Sequence, residues 1–273
     1  MCLANTTGPW SFRRGRFAAY ATKGNRSEMF DRFVIMDNGK QGLDSIWAVG
    51  IFDGYNCHDF CDEAELYLVP EIMDKLVSKP TENYNATFKM IDDLIINFES
   101  RAKKRLRRSS ICASTALIAF FYKEFVMIVQ LGDSRSMILV KDEFLLSPEH
   151  SARQDAEILF KHGIPVDYVN GALRVGGVFP FSRALGAFAF KEKKLMLKNG
   201  LRAMVTFSFD KEPNLLIMAT NGLWDVLSDK EAAGILIRHQ KDKQFGAKQL
   251  VETALKKGSK DNISVVIINL VEK

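Results

Sequence analysis

The sequence contains little cysteine: Cys2, Cys57, Cys61 and Cys112 are the four in 273 residues. That argues against a disulfide-dense secreted scaffold and makes a reducing compartment the expectation. Cys57, His58 and Cys61 sit close together, but the second ligand pair of a zinc knuckle is missing nearby. Positions 57 and 61 are one helical turn apart, and helix packing is the better reading. Long apolar runs are also missing: no segment approaches the length needed to cross a bilayer. Met1 to Trp10 carries no apolar leader and no Gly at position 2. We therefore expect no membrane partner and an intracellular protein, cytoplasmic or nuclear. Repeats, low-complexity tracts and Pro/Gly/Ser linkers are lacking too, so one domain is expected. Neither charge sign dominates: Lys+Arg number 38 and Asp+Glu 33, a net charge of +5. This fits acidic or phosphorylated partners and does not argue for nucleic acid.

What is present is a folding composition, 47% hydrophobic and 26% charged. Short apolar runs read as strands: 31–36, 45–52, 114–121, 125–131, 136–140, 214–220 and 263–270. Tyr122-Lys123-Glu124 between two of them reads as a hairpin. Helical spacing marks 63–76, 87–106, 147–162, 229–238 and 246–257, with Ser228 as an N-cap and Gly163 as a stop. Strands outnumber helices and cluster as hairpins, which predicts stacked antiparallel sheets with helices outside.

Asp53, Asp133 and Asp261 stand at strand ends beside Gly or turn residues. Taken singly, such residues are turn formers. Together they are placed to converge on a hard cation such as Mg²⁺ or Mn²⁺, which takes oxygen ligands and keeps several waters.

A series of short segments decides between these readings. NRSEMFDR at 25–32, FDG at 52–54, ASTA at 113–116, GDSR at 132–135, EH at 149–150, RVGG at 174–177, SRALG at 182–186, ATNGLWDVLS at 219–228 and SKDN at 259–262 occur in this order. The series resembles the motifs of the PP2C metal-dependent serine/threonine protein phosphatases, from about residue 17 to the end. The resemblance implies an α+β fold: a sandwich of two antiparallel sheets flanked by helices on both outer faces, over 17–273, with 1–16 as an extension. It implies a dinuclear Mg²⁺/Mn²⁺ centre. In it Asp53 bridges the metals, the Gly54 carbonyl and Asp261 are ligands, and Asp133 belongs to a third, weaker site. Asp31 orders metal-bound water and Arg26 holds the substrate phosphate.

Four positions depart from the family pattern. Phe30 stands where a glutamate ligand is usual, Tyr55 at the general-acid histidine, Asn221 at a central aspartate and Ala187 at an aspartate after Ser-Arg-Ala-x-Gly. With ligand charge removed, the metal is expected to be weakly bound or absent. The expectation is a monomeric pseudophosphatase or very weak phosphatase that binds phosphoproteins in signalling. The alternative is an active Mg²⁺- or Mn²⁺-dependent phosphatase using the residual site. The basic run Lys103 to Arg108 reads as a solvated helix end, and more sharply as a patch beside phosphorylatable Ser109 and Ser110.

Overall fold

The computed structural model describes residues 2–3, 9–40, 45–79, 83–106, 111–122, 125–140, 143–198, 200–207 and 214–271. Two antiparallel six-stranded sheets face each other. The first runs β1 (Cys2–Leu3), β4 (Arg32–Asp37), β5 (Ile46–Phe52), β8 (Ala116–Tyr122), β9 (Phe125–Leu131) and β15 (Arg202–Phe207). The second runs β11 (Glu143–Leu146), β10 (Arg135–Val140), β16 (Asn214–Ala219), β17 (Ile263–Asn269), β3 (Phe17–Thr22) and β2 (Trp10–Arg14). The boundary expected at residue 17 falls inside a hairpin, because β2 pairs with β3 from Trp10↔Ala21 to Arg14↔Phe17. Residues 10–14 therefore belong to the sandwich.

The apolar runs are continuous because most of these strands are covered on both faces. In β8, Leu117, Ala119 and Phe121 point between the sheets. Ala116, Ile118 and Phe120 point outward, against α1 (Asp59–Glu63), α2 (Val69–Ser78) and α3 (Tyr84–Arg105). In β17, Val266 and Ile268 face inward. Ile263, Val265 and Ile267 pack under α6 (Asn221–Trp224), α7 (Asp229–Arg238) and α8 (Lys243–Lys256). The result is the expected sandwich between two helical layers. A π-helical turn, Ala64–Leu68, joins α1 to α2. Ser228 caps α7 in a reciprocal capping box with Glu231.

The helix expected over 147–162 is far shorter, forming α4 (Ala156–Lys161) alone. Pro148 cannot continue a helix. The preceding N–H groups are used across the fold: Ser147 donates to Ser136 O (2.9 Å), His150 to Gly132 O (2.8 Å) and Ala152 to Pro180 O (3.3 Å). A hairpin of β12 (Val166–Val169) and β13 (Ala172–Val175) follows, with Asn170 and Gly171 both at positive φ. A small sheet joins β6 (Gly54–Tyr55), β7 (Ala113–Ser114) and β14 (Leu185–Gly186), the last leading into α5 (Phe188–Glu192).

Candidate functional site

Strand register gathers the sequence-predicted residues. Arg32 pairs with Phe52, so Asp31 and Asp53 lie at the same end of the first sheet. Arg135 pairs with Ala219, which sets the Asp133 turn beside Asn221 on the second. Asp53, Gly54, Tyr55, Asp133, Asn221, Asp261, Arg26 and Phe30 all line one pocket of about 430 Å³. Asp31 is buried behind it, and its Oδ2 accepts from Thr220 Oγ1 (3.0 Å) and Ser264 Oγ (2.8 Å). Ala187 does not line the pocket. It is fully buried among Ala113, Phe179, Phe181, Ala184 and Met196, at a left-handed φ of 49°.

Residues without an assigned role hold the site together. Thr115 fixes Asp53 from both sides: its Oγ1 accepts the Asp53 N–H (3.0 Å) and its own N–H donates to Asp53 O (2.9 Å). Thr115 Oγ1 also bonds Ser134 Oγ (2.8 Å), beside Asp133. Only glycine fits at 132, where φ is +93° and a Cβ would lie 2.6 Å from Thr115 Cγ2. Asn262 ties the loop bearing Arg26 to the start of β17. Its Oδ1 accepts from Phe30 N (2.7 Å), and its Nδ2 donates to Lys23 O (3.0 Å) and Glu28 O (2.9 Å). Arg32, buried, pairs with Asp62 at 2.7 Å and donates to Met29 O (2.8 Å) and Asp31 O (2.9 Å). Asp225 also lines the pocket. It lies four residues after Asn221 at the end of α6, a spacing that puts both on one helical face.

The carboxylates raise one another. Burial, then the charges of Asp31, Asp133, Asp261 and Asp225, pushes Asp53 well above the usual range. Burial and the charge of Asp225 push Asp133 to about 7. Burial takes Asp31 to about 7, with Asp261 adding. Burial and Asp261 take Asp225 to about 6. Asp31 Oδ1, Asp133 Oδ1 and Asn221 Oδ1 are buried without a hydrogen-bond partner among the described residues. Buried acids that repel one another, with oxygen atoms to spare, fit a hard divalent cation.

Arg26 closes the rim. Its Nη2 donates to Asp261 Oδ2 at 2.8 Å and its Nε to Lys260 O at 3.0 Å. Tyr55 lines the pocket but is engaged with the wall behind it. Its hydroxyl donates to Val178 O (2.9 Å), and its ring packs 4.9 Å from Phe179 and 6.0 Å from Phe181. Phe30 presents a ring 6.2 Å from that of His58.

The cysteine expectations need correction. Cys57 is disulfide-bonded to Cys112, with Cα atoms 5.6 Å apart. It precedes α1, so helix packing applies to Cys61 alone, which is buried with its Sγ 3.1 Å from Ser114 Oγ. Cys57, His58 and Cys61 do not bring three ligand atoms together among the described residues. Among the described residues, the one compact trio of metal-type donors is Cys57, Asp59 and Cys112. Ser109, Ser110 and the end of the basic run lie outside the described residues.

A two-sheet sandwich flanked by helices, with an acidic pocket at one end, makes this an α+β protein. It belongs to the protein phosphatase 2C family, whose model matches residues 15–263. It is 29% identical to protein phosphatase 1L of Bos taurus, over 95% of this chain and 73% of the relative. A probable protein phosphatase 2C 69 of Arabidopsis thaliana is 30% identical, over 99% and 75%. Among solved structures, a Caenorhabditis elegans sex-determining protein superposes with a TM-score of 0.81 at 22% identity, over 96% of this chain and 66% of that one. A serine-threonine phosphatase 2C from Toxoplasma gondii superposes at 0.77 and 21%, over 98% and 99%. No helix among the described residues is long and apolar enough to cross a membrane.

Proposed function

We propose that this chain is a phosphatase 2C domain that binds phosphorylated partners and hydrolyses them very weakly or not at all, as a regulator or scaffold in intracellular signalling. Tyr55 carries the reading. The residue at the general-acid position spends its proton on Val178 O and its ring on an aromatic cluster. Loss of a general acid typically removes ~10²–10⁴ in rate. Phe30 adds an apolar ring to the same wall, and Asn221 keeps an oxygen but not a charge.

The family is metal-dependent, and the oxygen donors here fit Mg²⁺ or Mn²⁺. Asp53, the Gly54 carbonyl, Asn221 and Asp261 would hold one ion, with Asp133 and Asp225 serving a further one. When bound, such an ion polarises a phosphoryl oxygen and lowers the pKa of water. Missing ligand charge makes that binding weak. Arg26 supplies a planar donor fork for phosphate, which would exchange Asp261 for the ligand. Asp31, held by Thr220 and Ser264, would order water bound to such an ion. The partners this site suits are phosphoproteins, bound by a monomeric domain.

One observation favours an active enzyme instead: five pocket-lining carboxylates, Glu28, Asp53, Asp133, Asp225 and Asp261, are present. The test is hydrolysis of p-nitrophenyl phosphate and a phosphothreonine peptide with millimolar Mn²⁺ or Mg²⁺, beside Asp53→Ala. We expect no metal-dependent turnover above that control. Turnover that needs metal and vanishes in the control establishes the active reading. Arg26→Ala is expected to weaken phosphopeptide affinity about tenfold, the usual scale for a charged hydrogen bond, read by fluorescence anisotropy. Unchanged affinity removes Arg26 from the phosphate site.

A further inference from the structure

Cys57 and Cys112 are 55 residues apart in sequence and meet beside the pocket. Cys57 is partly exposed and Cys112 is buried. Each is built into the pocket wall by its backbone. A Cβ on Gly54 would lie 2.5 Å from the Cys57 carbonyl, so that carbonyl packs directly on the pocket glycine. Asn56, which lines the pocket just before Cys57, has a left-handed φ of 62°. On the other side, Cys112 O accepts the Ala187 N–H (2.9 Å), and the next residue, Ala113, pairs with Tyr55. The cross-link therefore closes a ring around the segment from Gly54 to Cys57. Disulfides in intracellular proteins are commonly redox-sensing rather than structural, and a partly exposed thiol beside a buried resolving thiol is the arrangement such sensors use.

We propose that Cys57 and Cys112 form a reversible oxidation site that sets the rigidity of the 54–57 segment and, through it, the cation affinity of the pocket. The first half of this statement stands on the thiol pair alone. The second rests on the cation reading of the pocket. The oxidant is a hydroperoxide. The Cys57 thiolate attacks the peroxide oxygen, the O–O bond breaks, and the leaving hydroxide takes a proton to become water. The resulting sulfenic acid is attacked by Cys112 sulfur, the S–S bond forms, and a second water leaves. In sum, two thiols and one hydrogen peroxide give a disulfide and two waters. Two molecules of a small thiol such as glutathione reverse it, leaving as their own disulfide.

The full chain, treated with hydrogen peroxide or with reduced glutathione, is digested after alkylation and read by mass spectrometry. The oxidised sample should yield a peptide pair joined through Cys57 and Cys112, and the reduced sample should not. Amide hydrogen exchange over 54–57 and 112–114 should be faster in the reduced protein. Mn²⁺ affinity should fall about fivefold on reduction, the low end of coupling between linked sites. Cys57→Ser should exchange like the reduced protein under both treatments, and Cys61→Ser should behave as the unaltered chain. Absence of the joined peptides, or identical exchange in both states, overturns the proposal. A difference in exchange with no Mn²⁺ binding in either state upholds the thiol switch and sinks the cation reading. Equal Mn²⁺ affinities with different exchange overturn the control of the pocket.

Discussion

The two walls of the pocket are made of different material. One carries Asp133, Asn221 and Asp225, oxygen donors of which the two carboxyls are raised toward neutral pH, Asp133 by burial and the charge of Asp225, Asp225 by burial and the charge of Asp261. The other carries Phe30 and Tyr55, aromatic side chains packed against His58, Phe179 and Phe181. The first wall gains from a cation, and the second neither holds nor needs one. One pocket can thus join a wall of oxygen donors to a wall of aromatic packing on the same fold.

The largest effect is expected from converting the aromatic wall and recharging Asn221 on the other. Phe30→Glu, Tyr55→His and Asn221→Asp together should raise Mn²⁺ affinity about 10–100-fold by titration calorimetry, the scale on which metal sites respond to supporting groups. No gain would mean that these positions do not face the ion. Ala187→Asp is left out of the set: its carboxylate would enter an apolar cluster and lower stability without reaching the pocket.

Next comes the polar wall without metal. Asp31 and Asp133, raised to about 7, and Asp225, raised to about 6, hold protons in the folded chain that the unfolded chain releases near pH 4. The folded state binds more protons in that window, so stability falls as pH rises from about 5 to 8. Mn²⁺ should flatten the slope. Asp133→Asn should stabilise the metal-free protein at pH 8 by about 1–3 kcal/mol, since it removes one buried charge. Urea denaturation with a chelator and with Mn²⁺ reads both effects, and a metal-free stability that rises over this range contradicts the charged wall.

The smallest effect is expected at Tyr55→Phe. It removes one hydrogen bond to Val178 O, worth about 1 kcal/mol, and leaves any residual turnover unchanged. A drop in turnover would make Tyr55 a proton donor after all.

Much of the sandwich was legible in the sequence, because runs such as FVMIVQL must be strands covered on both faces. The hairpin at Asn170-Gly171 was equally legible and was missed, although Asn-Gly between alternating apolar residues is a strong turn signal. Asp225 had a signal too, its helical spacing from Asn221. Other features had none. Tyr55 meets Val178 across 123 residues, and Cys57 meets Cys112 only once β6 and β7 pair. The loss of helix over 147–155 is a tertiary effect, set by N–H partners at Gly132, Ser136 and Pro180.

Asn262 and β17 also impose an order in time. β17 sits between β16 and β3 in the second sheet, yet it follows both of them in the chain. Until it arrives, β3 and β16 have open edges, and the loop bearing Arg26 lacks the amide that holds it at Phe30, Lys23 and Glu28. Pocket assembly thus waits for residue 262, and a chain stopped short of it carries nearly every site residue without a site.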